Sequence, residues 1–296
     1  MMQPWLIWTW VAILCWGVWA ILARLIGEAL TASQQQAFST LGLIPVIGML
    51  AVSRNWTVTG RRSRGILWAL AAGVLTSLGN LAYYDALSRG ARAATVVPLT
   101  ALYPLVTVLL AVVFLRERLN RIQQTGVALS LAAIYLFNVP SQEGYLSPWL
   151  LLALVPIGLW GVAALLQKLS TQNISGEEAT LWFLLSFVPV AGVLVFQDPW
   201  PTGKSAQTWL LVLLLGFAFA LGNFALLFAF ARNGKASVIA PLAGLYPLIS
   251  LPIAYLAFNE RPGPRELGGL TLALLAVAAL ALESPTSPTP TPTSTS

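Results

Sequence analysis

Three pairs of side chains suited to holding a small solute recur along this 296-residue chain at a nearly constant spacing. Tyr103 and Tyr246 are 246 − 103 = 143 residues apart, as are Asn80 and Asn223, while Trp16 and Trp160 are 144 apart. A tyrosine offers a flat ring with one hydroxyl, a tryptophan a larger ring with one N–H donor, and an asparagine amide both a donor and an acceptor. Such groups recognise and orient a molecule. They do not by themselves break its bonds. The sequence has no histidine. It shows no metal-ligand cluster, no nucleotide-binding loop and no nucleophile–base arrangement. The expected chemistry is therefore noncovalent recognition, without a cofactor and without catalysis.

The tyrosines sit in a repeated octapeptide. Residues 98–105 read Pro-Leu-Thr-Ala-Leu-Tyr-Pro-Leu and residues 241–248 read Pro-Leu-Ala-Gly-Leu-Tyr-Pro-Leu. Pro98, Pro104, Pro241 and Pro247 each remove a backbone donor and free a carbonyl inside a helix. In lipid such a carbonyl must be met by neighbours or by a ligand. A single proline can be a simple kink, but paired prolines beside paired tyrosines point to a cavity. Tyr83 and Tyr84 share a helix face with Asn80, by i, i+3 and i+4 spacing. Their counterparts beside Asn223 are Leu226 and Leu227. A cavity between these faces would be polar on one side and apolar on the other. A second reading is open for the asparagines, which can bond across helices with Gly79 and Ala82 at the seam. Asp85 has two readings as well: a solvated-end pair with Arg89 one turn on, which we favour, or a gating or coupling group. The pairs Glu117-Arg118 and Glu260-Arg261 fall where they could cap or tie neighbouring helices.

The elements that must position these residues are membrane helices. The chain is 57% hydrophobic and 9% charged, against about 25% charged residues in soluble domains. About ten apolar runs are long enough to span a bilayer, near 5–24, 34–53, 65–88, 92–115, 122–139, 148–168, 179–196, 207–231, 235–258 and 266–283. The repeat pairs the first five with the last five. An odd number of spans per copy puts the second copy into the membrane upside down. The fold class expected is an all-α integral membrane bundle of ten helices, from two inverted five-helix repeats over 1–140 and 141–283. Residues 284–296 are a disordered Ser/Thr/Pro tail. Short loops that would lie inside hold ten Lys and Arg, those outside six, which places both termini in the cytoplasm. The net charge of +6 is a matter of topology and not a nucleic-acid patch. The run from Trp5 to Ala23 reads as a retained helix and not as a signal peptide, and Cys15 is the sole cysteine.

Two five-helix halves, each with Trp-Gly in the first helix, a proline in the fourth, and Glu-Arg followed by Gly126 or Gly269 in the fifth, resemble the EamA family of the drug/metabolite transporter superfamily. That resemblance implies a ten-helix bundle with a central cavity and alternating access, its third, fourth, eighth and ninth helices acting as gates. It suggests a bacterial inner-membrane exporter of amino acids or other metabolites, such as the aromatic amino acid exporter type. Organellar sugar-phosphate translocators are also of this kind. One departure stands out. Many members carry an arginine early in the second helix, where this chain reads Gln34-Gln35-Gln36, so charge recognition by that arginine does not carry over. The residues themselves speak on charge too. The central third of every run lacks Asp, Glu, Lys, Arg and His. That suits a neutral, zwitterionic, amino-acid-like or aromatic solute better than a multivalent anion, and gives a proton no relay at that depth. An organic cation stays open through its attraction to rings. The partners expected are this small solute and the lipid bilayer. A non-transporting scaffold subunit and a proton-coupled antiporter are the alternatives.

Overall fold

A computed structural model of the chain describes residues 3–53, 56–89, 92–137, 148–198, 200–232, 234–259 and 263–282. The described residues form ten helical segments: α1 Pro4–Ile26, α2 Ala32–Ser53, α3 Arg62–Ser88, α4 Ala93–Phe114, α5 Arg121–Phe137, α6 Pro148–Thr171, α7 Gly176–Gln197, α8 Ala206–Ala231, α9 Ala236–Phe258 and α10 Pro264–Ala281. Eight of them are long and apolar enough to cross a membrane. The remaining two, α5 and α10, pack on each other. Helices satisfy their own backbone donors and acceptors within the segment, which is what lets these apolar stretches lie in lipid.

Four segments expected as single spans are broken, and the breaks come in repeat-related pairs. α2 is helical over Ala32–Ser39, tightens to a 3-10 turn over Thr40–Leu43, and resumes over Ile44–Ser53. Its counterpart α7 breaks between Gly176–Leu185 and Phe187–Gln197. α4 breaks between Ala93–Thr100 and Pro104–Phe114, and α9 between Ala236–Ala243 and Pro247–Phe258. In both α4 and α9 a proline opens the second piece, where its missing N–H costs nothing. The carbonyls these two prolines release are taken locally: Tyr103 N donates to Thr100 O at 3.1 Å and Tyr246 N to Ala243 O at 3.3 Å. Of the two outcomes open to a freed carbonyl, a neighbour or a ligand, the neighbour is found at Pro104 and Pro247. Pro98 and Pro241 lie inside the first pieces.

α2 begins two residues and α7 three residues earlier than hydropathy indicates, and both begin at a cap. The Thr31 side chain accepts from Gln34 N while the Gln34 side chain returns to Thr31 N, a complete capping box. The Ser175 side chain likewise accepts from Glu178 N, so α7 starts at Gly176. Glu178 therefore lies in the first turn of a span and is fully buried.

The halves interleave. α1 packs on α8 and α3 on α6, so each half's first helix lies against the other half's third. The glycine of each Gly-Asn pair makes this approach close. A Cβ on Gly79 would run into the Trp160 indole, and one on Gly222 into Trp16. α5 and α10, the fifth helices, run antiparallel: Gln123 near the start of α5 donates to Leu280 O at 3.0 Å, while Leu136 near its end lies beside Gly268. Equivalent helices pointing in opposite directions are what an inverted repeat requires.

Ties between the halves close both ends of the bundle. At the end where α2 and α6 finish, Arg62 Nε donates to Glu178 Oε1 at 2.8 Å. There Val58 also bridges Ile174 and Ser237 N donates to Glu117 Oε2 at 3.1 Å, while Lys168 Nζ, within the second half, donates to Phe230 O and Gly234 O. At the opposite end Thr31 and Gln34 donate to Asp198. Glu117 thus meets the first turn of α9, in keeping with a capping role. Glu260 and Arg261, like residues 284–296, lie outside the described residues.

Candidate functional site

Where α1, α3, α6 and α8 cross the breaks of α4 and α9 the bundle encloses a cavity. Trp16, Asn80, Tyr103, Trp160, Asn223 and Tyr246 all line it. Around them stand Trp19, Thr76, Ala163, Ala164, Gln167, Phe219 and Leu226. None of these thirteen side chains is charged. The space open to the centre of a water-sized sphere is about 40 Å³. That is far below the several hundred Å³ a metabolite needs, so the cavity is contracted in this conformation.

The helix breaks bring the two tyrosines together. Tyr103 OH donates to Ala240 O on α9 and Tyr246 OH donates to Val97 O on α4, both at 3.3 Å. Since 240 − 97 = 143, the two bonds are repeat equivalents. Trp16 stands edge-on to both rings, with centroids 6.4 and 6.3 Å away, and Trp160 stands edge-on to Tyr103 at 6.3 Å. The hydroxyls are spent on holding α4 to α9, which leaves the ring faces as the tyrosines' contribution to the cavity wall.

The asparagines differ in a way that one substitution explains. Gln167 Nε2 donates to Asn223 Oδ1 at 3.2 Å, and Asn223 Nδ2 donates to Phe219 O at 2.9 Å. The residue equivalent to Gln167 is Ala23, which has no amide to offer. Asn80 Oδ1 is left buried without a hydrogen-bond partner. The tryptophans differ in mirror fashion. Trp160 Nε1 donates to Thr76 O at 3.4 Å. The equivalent carbonyl for Trp16 is Phe219 O, already taken by Asn223, and Trp16 Nε1 is left without a partner. The cavity thus holds one unsatisfied donor and one unsatisfied acceptor among aromatic rings. Each is costly unless something completes it.

Tyr83 and Tyr84, expected on the cavity wall, do not line it. Both are buried behind Trp19, which stacks on Tyr83 at 4.9 Å and donates from Nε1 to Tyr84 OH at 3.0 Å. Trp19 takes the place they were expected to fill. Asp85 and Arg89 are also away from the cavity, paired with each other at 2.9 Å at the end of α3. Trp19, Thr76, Gln167 and Phe219 are cavity residues that the search for matched pairs passes over. Helical spacing could have found them: Trp19 is i+3 from Trp16, Gln167 i+7 from Trp160, and Thr76 and Phe219 each i−4 from an asparagine. Among the described residues no group of His, Cys, Asp and Glu could hold a metal.

Comparison with known proteins matches the description "EamA-like transporter family" twice, over residues 3–139 and 147–282. The uncharacterized transporter YojE of Bacillus subtilis is 30% identical over 266 residues, 86% of this chain and 85% of its own. An uncharacterized protein of Methanocaldococcus jannaschii is 30% identical over 124 residues, which are 42% of this chain but 88% of that protein. A solved crystal structure at 18% identity superposes with a TM-score of 0.67, covering 94% of this chain and 96% of its own, a likeness of fold.

Proposed function

The chain belongs to the EamA-like transporter family, and from that premise we propose that it moves a small neutral or zwitterionic solute, amino-acid-like or aromatic, by alternating access around the cavity between α4 and α9. The observation that carries this reading is the uncharged aromatic lining with its two unmet polar atoms, Trp16 Nε1 and Asn80 Oδ1. A solute with an apolar or aromatic body, one acceptor and one donor would complete both. A fixed charge would find no counter-ion on that wall and would bear the cost of burial alone. Movement of α4 against α9, with exchange of the two tyrosine bonds, is the step that would open the contracted cavity to either side in turn. In this reading residues 1–140 and 141–283 are the two repeats and 284–296 take no part. The protein lies in the plasma membrane with both termini in the cytoplasm, and it is a carrier, not an enzyme.

A proton-coupled antiporter is the second reading, and one observation favours it. Glu178 is a fully buried carboxylate with Oε2 unpartnered, and Arg62 holds its other oxygen. Counterflow in proteoliposomes separates the two. With labelled amino acids and aromatic metabolites and no ion gradient, the uncoupled carrier exchanges solute, and Trp16→Phe weakens its apparent affinity about 2- to 10-fold, the worth of one neutral hydrogen bond. Tyr103→Ala impairs exchange far more than folding. Concentrative uptake driven by an imposed pH difference and lost in Glu178→Gln or Asp85→Asn would establish the antiporter instead. No exchange of any solute would leave a scaffold.

A further inference from the structure

A second, smaller cavity lies beside the aromatic one, between α2, α3, α7 and α8. It is lined by Gln36, Ser39, Thr40, Asn80 and Tyr84, closed by Leu43, Phe187, Gly216 and Phe219. About 10 Å³ is open to the centre of a water-sized sphere, room for one such species. Five of its side chains carry oxygen. Two of those oxygens, Gln36 Oε1 and Asn80 Oδ1, are buried and have no hydrogen-bond partner. Gln36 is fixed in place, because its Nε2 donates to Ser77 Oγ at 3.0 Å. The Ser39 and Thr40 hydroxyls both donate to Gln36 O at 3.1 Å, where α2 tightens into its 3-10 turn; this leaves Thr40 lone pairs to accept, while the Ser39 hydroxyl also meets the Tyr84 hydroxyl.

The other half supplies an internal control. Counting 144 residues on along α2 and 143 along α3, the equivalents of Gln36, Ser39, Thr40 and Tyr84 are Thr180, Phe183, Leu184 and Leu227. Thr180 is turned to its own helix, donating to Gly176 O, and Phe183, Leu184 and Leu227 are buried core residues. Asn223, the equivalent of Asn80, has its oxygen met by Gln167. The same scaffold is thus closed by apolar packing in one half and opened into an oxygen-lined cage in the other. The fold does not need the polar set, and unpaired buried acceptors weaken a fold unless something fills them.

What fills a cage of acceptors is a donor or a cation. Hard cations take oxygen ligands, and unwound helices in carriers supply such ligands to coupling ions. No carboxylate lines the cage, so a divalent ion would bring twice the charge with nothing to offset it. We propose that this cavity binds one sodium ion, with Gln36 Oε1 and Asn80 Oδ1 as its main ligands and the oxygens of Ser39, Thr40 and Tyr84 completing the shell. Asn80 lines both cavities, and its Oδ1 carries two lone pairs, one for the ion and one for the solute, so occupancy of the cage is felt at the aromatic site.

Sodium alone is the probe. The full chain, purified in detergent, is melted across a series of sodium chloride concentrations, with choline chloride holding ionic strength constant and potassium chloride as a size control. A ligand bound only by the folded state raises the melting temperature saturably. The expected result is a saturable rise of about 2–5 °C with sodium, less with potassium and none with choline. Gln36→Leu is expected to abolish the sodium response. Thr40→Val, which keeps shape and loses one oxygen, should weaken it several-fold, and it keeps the test decisive if Gln36→Leu does not fold. Identical melting of the natural chain in sodium and choline, as expected if the cage holds only water, would overturn the proposal. So would a sodium response that both variants retain in full.

Discussion

Glu178 and Arg62 show how unequal the two partners of one ion pair can be. The carboxylate is fully buried, whereas the Arg62 side chain is 51% exposed and also lies over the Trp56 ring at 5.8 Å. Removing the buried charge leaves an arginine that water can solvate. Removing the arginine leaves a carboxylate that water cannot reach, with Trp182 Nε1 at 3.4 Å as its remaining side-chain donor. Arg62→Met should therefore destabilise by about 3 kcal/mol, in the range for breaking a buried pair from one side. Glu178→Gln should cost under about 1 kcal/mol, the scale of an exposed pair. The double variant should recover most of the Arg62→Met loss. Urea or thermal melts of the three variants check this, and equal losses in the two single variants would show the pair to be symmetric after all. Hydropathy conceals Glu178, because it starts the seventh span after that residue. The local signal was there in Ser175-Gly176-Glu177-Glu178, whose first and fourth residues read as a capping box. Residues that both halves share were legible from their spacing. Trp19 and Gln167 were not, because each faces an alanine in the other copy, and a search for likeness is blind to such positions.

Helix breaks carry the site's geometry, and they were only half legible. The prolines of α4 and α9 announce that something interrupts the helix, yet not that the second proline opens a new piece and lets the turn satisfy its own carbonyl. The break in α2 has no proline at its 3-10 turn, and what permits it is contact. Gly216 of α8 meets the Ser39 carbonyl, and Gly42 meets the backbone of Leu213 and Phe217, so two main chains touch without side chains between them. A Cβ at Gly216 would have to displace backbone, which cannot yield as a flexible side chain does. Gly216→Val should cost about 1–3 kcal/mol or more by overpacking. Gly48→Val, on the same α2 but with no heavy atom within 4 Å of the added Cβ, should change stability by less than about 0.5 kcal/mol. Comparable melting temperatures for the two variants would mean that the α2–α8 seam is looser than its geometry.

Over the whole molecule the inverted repeat was the most legible feature, since ten apolar runs and a constant offset need no packing detail. Its membrane orientation is open to a direct measurement. With Cys15 replaced by alanine, single cysteines at Thr59 and at Gly203 should label from opposite sides of intact cells, Gly203 from the periplasm and Thr59 only after permeabilisation. Labelling of both from one side would break the topology. The interleaving of the halves was not legible, because composition cannot say which tryptophan sits on which glycine. It bears on how such a chain is made. α1 leaves the ribosome long before α8, and α3 before α6, so Trp16 and Gly79 must wait in the membrane for partners not yet translated. Asn80 waits with them, beside a cavity that α6 and α8 have yet to close. A ribosome that stops after the first five helices releases a product with every contact between the halves missing, and membrane quality control should clear it quickly. Supplying the second half from a separate message should rescue it, because the contacts that join the halves do not depend on the loop that connects them.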